Sequence, residues 1–137
     1  MDPIAVIRGS IIHGKGLGRT VGMPTANLSP ERGSEIPQQG VYASIVQLRE
    51  GTFIGVTNIG ERPTVDSDSR FTIETNIKDF DRDIYGEIMT LSIMYYLRPT
   101  VKMGSLEEVR DQVTRDMERA EELLREKAKG KINWAEK

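Results

Sequence analysis

A mainly β fold, a six-stranded antiparallel barrel carrying one long C-terminal α-helix, is predicted by three features of this 137-residue sequence. Short runs rich in β-branched and aromatic residues recur over roughly the first hundred positions, each bounded by glycine, proline or other turn formers. No apolar stripe of helical period separates them, so the strands are expected to pair antiparallel, and six such strands close most readily into a small barrel. In the last third the apolar residues recur every three and four positions, the period of a helix with one buried face.

Taken in order, strands are predicted at Ile4–Ile12, Val41–Leu48, Phe53–Ile59, Arg70–Ile77 and Glu87–Leu97, with a short sixth at Thr25–Leu28. The run Phe71 to Ile77 alternates strictly, placing Phe71, Ile73, Thr75 and Ile77 on one face and Thr72, Glu74 and Asn76 on the other. Ser105 with Glu108 three residues on makes a capping box. Leu106, Val109, Val113, Met117, Ala120 and Leu124 form the apolar face behind it, and Gly130 marks the C-cap. Glu107, Arg110, Arg115, Glu118, Glu122 and Arg125 line the opposite, solvated face. A chain of this length buries one core, so a single domain over 1–130 is expected. The tail 131–137 is polar apart from Ile132 and Trp134 and is read as loosely ordered.

Composition removes several kinds of chemistry. There is no cysteine, which excludes disulfides, thiolate catalysis and cysteine-ligated metals, and His13 is the only histidine. A lone histidine at a strand end is more often structural than catalytic. The oxygen donors that remain suit a hard cation such as Mg²⁺ better than zinc. A formal charge of −2 argues against a broad basic face for nucleic acid. The longest apolar runs, such as Ile4-Ala5-Val6-Ile7, are too short to span a bilayer, and the N-terminus lacks the apolar core of a signal peptide. A cytoplasmic protein is expected.

The stretch Gly14-Lys15-Gly16-Leu17-Gly18-Arg19-Thr20-Val21-Gly22 carries the strongest local signal. Its glycines permit positive φ and close backbone approach to a ligand. Arg8, Lys15 and Arg19 lie in an interval without a carboxylate from Asp2 to Glu31, so the local field suits an anion. It is not a Walker loop, because Gly14-Lys15 is followed by Gly16 and Gly130-Lys131 by Ile132. Nor is it a dinucleotide fingerprint, since Pro24 follows quickly and no helix opens. From glycine spacing alone, a sharp turn between two strands remains the simpler account.

Three further places can carry chemistry, each with a plain structural alternative. Glu74 in mid-strand is either a solvent-facing residue or a general base on a rigid scaffold. Thr25 and Asn27, two apart in an extended segment, either close a turn after Pro24 or offer a hydroxyl and an amide oxygen to Mg²⁺. Phe80 and Tyr85, in the cluster Lys78 to Gly86, are either ordinary loop residues or flat apolar surface for an aromatic ligand. Asn58-Ile59-Gly60-Glu61-Arg62-Pro63-Thr64 is read as a turn-forming stretch.

In order, these segments resemble the riboflavin kinases (flavokinases), including the kinase half of bacterial bifunctional riboflavin kinase/FAD synthetases. The resemblance runs from Arg8 to about Leu124. It rests on Gly18-Arg19 and Gly22-Met23-Pro24-Thr25-Ala26-Asn27, then Gly40-Val41-Tyr42-Ala43, Gly55 to Gly60 with Pro63-Thr64, Glu74-Thr75, Asp79-Phe80, Tyr85-Gly86 and Leu97-Arg98. It implies a Greek-key topology for the barrel and transfer of the ATP γ-phosphoryl group to the ribityl 5′-hydroxyl of riboflavin, giving FMN and ADP. By position, Gly14 to Gly22 with Pro24 would cover the ATP phosphates. Thr25 and Asn27 would hold Mg²⁺-ATP, Glu74 would be the catalytic base, and Phe80, Tyr85, Arg98 and Met103 would meet the flavin.

The chain departs from the family pattern at Asn76, where many relatives have histidine, at Val65, where an aromatic is usual, and at Met103, where phenylalanine is common. The paired histidines of the nucleotidyltransferase domain of bifunctional relatives cannot exist beside a single His13, so FAD synthesis by that route is not expected. A monomer acting on small molecules, with no nucleic-acid or membrane partner, is the expectation. The competing class is a flavin- or nucleotide-sensing barrel that binds without catalysis.

Overall fold

The computed structural model describes residues 2–12, 25–61, 71–80, 84–101, 103–128, 130, 132 and 134–135. Its elements are β1 (Ala5–Ile12), β2 (Thr25–Pro30), β3 (Gly40–Leu48), β4 (Gly51–Glu61), β5 (Phe71–Ile77), β6 (Ile88–Arg98) and α1 (Leu106–Lys127). All six expected strands and the helix are present. The strands close into a barrel in the order β1-β2-β5-β4-β3-β6, with every neighbouring pair antiparallel. β2 skips β3 to pair with β5, and β6 returns between β3 and β1, the crossovers of a Greek key.

Strand β4 corrects the expected turn at Asn58–Thr64 for its first four residues. Asn58, Ile59, Gly60 and Glu61 continue the ladder opposite Glu74, Ile73, Thr72 and Phe71. Turn-forming composition yields here to pairing with β5, and at Asn58 and Ile59 also with β3. Arg62, Pro63 and Thr64 lie outside the described residues.

Alternation along the strands sorts side chains into two apolar clusters. Inward positions, among them Ile7, Leu28, Tyr42, Val46, Ile59, Ile73, Ile77 and Leu91, fill the barrel. Outward positions on β3, β4 and β6, including Val41, Ala43, Val56 and Met94, pack beneath Met117, Ala120 and Leu124 of α1. β3 is therefore buried on both faces. The outward positions of β2 and β5 are instead polar and half-buried: Thr25, Asn27, Thr72, Glu74 and Asn76. The helix thus divides the outer surface into a dry side and a wet side.

Ser105 caps α1 as expected, its side chain accepting from the Glu108 amide at 3.2 Å, while Glu108 Oε2 accepts from the Gly104 amide at 3.2 Å. Glu107 and Glu108 in the first turn and Arg125 and Lys127 in the last complement the helix dipole. The expected C-cap at Gly130 is corrected: α1 ends at Lys127, and Ala128 caps it by donating to the Leu124 carbonyl at 3.0 Å. Gly130, at φ 70°, turns the chain just beyond. The apolar face is buried only over Met117, Ala120 and Leu124, whereas Leu106 is exposed. In the tail, Ile132, Trp134 and Ala135 are among the described residues. Trp134 bridges to Thr52, Ala135 donates to the Thr52 carbonyl at 2.7 Å, and Ile132 and Trp134, its two apolar residues, pack on the helix-side cluster.

One polar chain crosses the barrel interior. Thr57 Oγ1 donates to Ser44 Oγ at 2.9 Å and lies 2.8 Å from Thr75 Oγ1, with all three residues fully buried. Since the Thr57 proton goes to Ser44, Thr75 donates to Thr57, and the hydroxyls form one directed chain across β5, β4 and β3. Gly55 makes the room: a Cβ there would stand 2.9 Å from Ser44 Oγ and from Thr75 Cγ2. Thr57→Val breaks the chain at its centre and is expected to destabilise the fold by about 2 kcal/mol, because two buried hydroxyls lose partners. Combining Ser44→Ala, Thr57→Val and Thr75→Val in one variant is expected to recover part of that loss in chemical unfolding, because no buried hydroxyl is then left without a partner.

Candidate active site

The polar outer face of β2 and β5 is assembled by register. Asn27 stands opposite Glu74, and Glu74 stands opposite Asn58 on its other side, so an amide, a carboxylate and an amide form a row across three strands. One step along, Thr25 stands opposite Asn76, which stands opposite Val56. Directly opposed side chains in such ladders lie about 5 Å apart at Cβ, within reach of a shared ligand. Thr25 and Asn27 share the outward face because Ala26 between them and Leu28 after them point into the core. The register thus brings Thr25, Asn27 and Glu74 onto one face.

Among the described residues, two side-chain hydrogen bonds order this face. Asn76 Nδ2 donates to Thr25 Oγ1 at 3.2 Å, and Thr100 Oγ1 donates to Asn58 Oδ1 at 3.0 Å. The second ties the segment between β6 and α1 to the end of the polar row. The same segment is held from below by Arg98. Its Nε lies 3.0 and 3.2 Å from the Asp116 carboxylate oxygens, its Nη2 2.8 Å from Asp116 Oδ2, and its Nη1 donates to the Pro99 carbonyl at 3.1 Å. Gln112 Nε2 adds a bond to Asp116 Oδ1 at 2.9 Å. Asp116, only 6 % exposed on the buried face of α1, is a carboxylate that the sequence reading passed over. Its place one residue before Met117 on the helical repeat is the signal that marks it.

At the other end of β5, Lys78 Nζ lies 2.8 Å from Asp79 and 3.3 Å from Glu121 of α1, and Glu121 in turn bonds Arg125 at 2.9 Å. The hydrogen bond to Asp79 raises the Lys78 ammonium above its ordinary value, burial opposes it, and Glu121 adds to the rise. Burial pushes Glu121 up, but hydrogen bonds and charge from Arg125 and Lys78 outweigh it and hold the carboxyl below its ordinary value.

The remaining assigned residues fall in three groups. Gly14, Lys15, Gly16, Leu17, Gly18, Arg19, Gly22 and Pro24 lie outside the described residues, as do His13 and Val65. The strand ends that flank the loop are in place, with Ile12 paired to Asn27. Tyr85 is exposed beside Gly86, whose amide donates to the Ile11 carbonyl at 2.9 Å at the same rim of the barrel, and Met103 is half-buried before α1. Phe80, by contrast, is 6 % exposed and packs edge-on against Phe53 with ring centroids 5.1 Å apart. In this conformation its ring serves the core and not the outer face. Arg98 likewise has its guanidinium engaged by Asp116.

With a glutamate presented between two amides, and a hydroxyl nearby, the face offers a proton acceptor and hard oxygen donors. Among the described residues no group of three or more His, Cys, Asp or Glu side chains is placed to hold a metal ion. Comparison with known proteins identifies the setting. The Flavokinase family model, described as riboflavin kinase, matches residues 3–124. The chain belongs to the riboflavin kinase family.

Its relatives include the bifunctional riboflavin kinase/FMN adenylyltransferase of Haemophilus influenzae, 38 % identical over 115 residues that make up 83 % of this chain and 37 % of that protein. An RNA-binding riboflavin kinase of Bacillus subtilis is 37 % identical over 83 % of this chain and 49 % of its own length. The chain thus spans between a third and a half of these relatives. Among solved structures, one from Streptococcus pneumoniae described as a macrolide-efflux protein superposes with a TM-score of 0.79 at 33 % identity, covering 86 % of this chain and 38 % of that one. The riboflavin kinase of Trypanosoma brucei superposes with a TM-score of 0.64 at 20 % identity, over 96 % of this chain and 84 % of that one, a likeness of fold. In this riboflavin kinase family member, as in any barrel, the outer face depends on the elements that flank it. No helix of the described residues is long and apolar enough to cross a membrane.

The Lys78–Glu121 contact is expected to stabilise the fold across a defined pH window. Lys78, with its raised pKa, contributes fully below the ordinary lysine value and loses its contribution as pH rises through the raised one. Glu121, with its lowered pKa, contributes above the ordinary glutamate value and loses its share as pH falls through the lowered one. The stability difference between the parent and Lys78→Met, measured by urea unfolding, is therefore expected to be flat at about 0.5–1 kcal/mol between roughly pH 6 and 9 and to shrink toward both extremes.

Proposed function

We propose that this chain is an ATP:riboflavin 5′-phosphotransferase that makes FMN and ADP, with Glu74 as general base. The observation that carries the proposal is the cross-strand row Asn27–Glu74–Asn58, which mounts a carboxylate at the centre of three paired strands and beside two amides. Family membership supports the substrate pair, and the half-burial of Glu74 supports a base that water does not fully shield.

Phosphoryl transfer depends mainly on positioning and on neutralising charge. The ribityl 5′-hydroxyl is a weak nucleophile while protonated, so Glu74 would take its proton as the new oxygen–phosphorus bond forms and the bond to ADP breaks. Asn27 and Asn58 flank that carboxylate and restrict its approach. Thr25 and Asn27 supply two oxygen donors on one face, a set too small to cage a metal unaided but suited to a hard cation that takes its other ligands from phosphate and water. Bound there, Mg²⁺ supplies charge neutralisation to the ATP phosphates. Gly14 to Gly22, with Lys15 and Arg19, is assigned to the phosphates because the described chain on either side of it ends at Ile12, paired with Asn27, and resumes at Thr25 on Asn27's own strand. Phe80, Tyr85, Arg98 and Met103 are assigned to the flavin, as the family resemblance implies. The protein acts as a cytoplasmic monomer on small molecules and needs no nucleic acid.

Glu74→Gln keeps the size of the side chain but removes its basicity, and is expected to lower kcat about a hundredfold or more with the ATP KM little changed. Product formation is read by separating FMN from riboflavin. Equal turnover in that variant removes Glu74 from the mechanism, and tight FMN binding with no turnover in the parent replaces the enzyme by a sensing module. Asn27→Ala is expected to raise the KM for Mg²⁺-ATP by about tenfold and to lower kcat as well, measured by initial rates at varied Mg²⁺.

A further inference from the structure

Among the described residues, the side chain that orders Thr25 is Asn76, and it does so from a position with no second polar partner in register. Asn76 stands opposite Thr25 on β2 and opposite Val56 on β4. Val56 is 4 % exposed and belongs to the apolar cluster beneath α1, so it gives the amide nothing to bond. Just past the end of its strand, the cation two residues on, Lys78, is already held by Asp79 and Glu121. Asn76 Nδ2 turns toward β2 and donates to Thr25 Oγ1 at 3.2 Å.

The direction of that bond matters. A threonine hydroxyl has one proton and two lone pairs. An incoming N–H from Asn76 occupies one lone pair, fixes the rotamer, and leaves the second lone pair for a cation and the proton for a phosphate oxygen. Without it, a threonine at the first residue of a strand can turn its hydroxyl to nearby backbone groups instead. We infer that Asn76 is a positioning residue that holds Thr25 Oγ1 in the orientation that binds a divalent cation together with a nucleotide phosphate. The inference rests on the assignment of Thr25 to Mg²⁺-ATP.

Calorimetric titration of the purified protein with ADP, with and without Mg²⁺, tests it, alongside thermal unfolding of each ligand-free variant. Asn76→Ala is expected to weaken Mg²⁺-ADP binding about fivefold, the effect of one hydrogen bond, and to weaken binding of metal-free ADP less, because only the cation contact is then missing from the comparison. Thr25→Ala is expected to lose at least as much, and the double variant to bind no more weakly than Thr25→Ala alone. Asn76→Ser, which keeps a donor in a smaller side chain, recovers part of the affinity. Losses from Asn76→Ala that appear equally without Mg²⁺, or that add in full to those of Thr25→Ala, overturn the positioning role. Parent-like Mg²⁺-ADP binding by Asn76→Ala while Thr25→Ala is impaired overturns it too and spares Thr25. Parent-like binding by Thr25→Ala removes the assignment beneath it and the inference together.

Discussion

The outer face depends on the register of β5, the strand hydrogen-bonded to β2 on one side and β4 on the other. A slip of one residue in a strand sends every side chain to the opposite face. Here such a slip would carry Glu74 into the barrel and Ile73 out to water. Three constraints oppose it. Ile73 and Ile77 fill the interior, Thr75 joins the buried hydroxyl chain to Thr57 and Ser44, and Gly55 leaves the space that chain needs. The buried polar chain is thus continuous with the polar site, one residue apart on the same strand. What fixes Thr75 on the inside fixes Glu74 on the outside.

The helix contributes by covering the surface that the site does not use. Met117, Ala120 and Leu124 dry the outward faces of β3, β4 and β6, so the face left open takes in β1, β2, β5 and the adjoining edge of β4, with the polar row on the last three. At one end of that face Asp116 binds Arg98 and so holds the segment leading to Thr100, which bonds Asn58. At the other, Glu121 reaches Lys78. Both tethers leave α1 as carboxylates and meet cations at the ends of β6 and β5. Their spacing along α1, from Asp116 to Glu121, lets one helix brace both ends of the site. Breaking a partly buried pair strands its partner, so these contacts bear on stability as well as on the shape of the site.

Much of this architecture was legible in the sequence. Strict alternation in Phe71–Ile77 grouped Thr72, Glu74 and Asn76 on one face, and Ser105 with Glu108 identified the start of the helix. The misses have physical causes. Asn58–Glu61 carries turn-forming residues, but two-sided pairing in a closed barrel overrides local propensity. The helix end was placed at the glycine, whereas the helix is capped earlier, at Ala128, and Gly130 serves the following bend. Ile132 and Trp134 looked like apolar residues in a polar tail, and they pack for the reason any apolar residue does. Cross-strand partners such as Asn27 and Asn58 on either side of Glu74 leave no local mark, because they are set by closure of strands distant in sequence. The edge-on contact of Phe80 with Phe53 likewise leaves no local mark, because it joins residues distant in sequence.

The central claim is that the face formed by β2, β5 and the edge of β4 is where phosphoryl transfer takes place. A crystal structure of the protein with Mg²⁺, ADP and riboflavin tests it most directly. The account predicts the ribityl 5′-hydroxyl within hydrogen-bond reach of the Glu74 carboxylate and the ADP phosphates over Thr25 and Asn27. A ternary complex with the ribityl chain or the phosphates on another face of the barrel, away from Glu74, would contradict it.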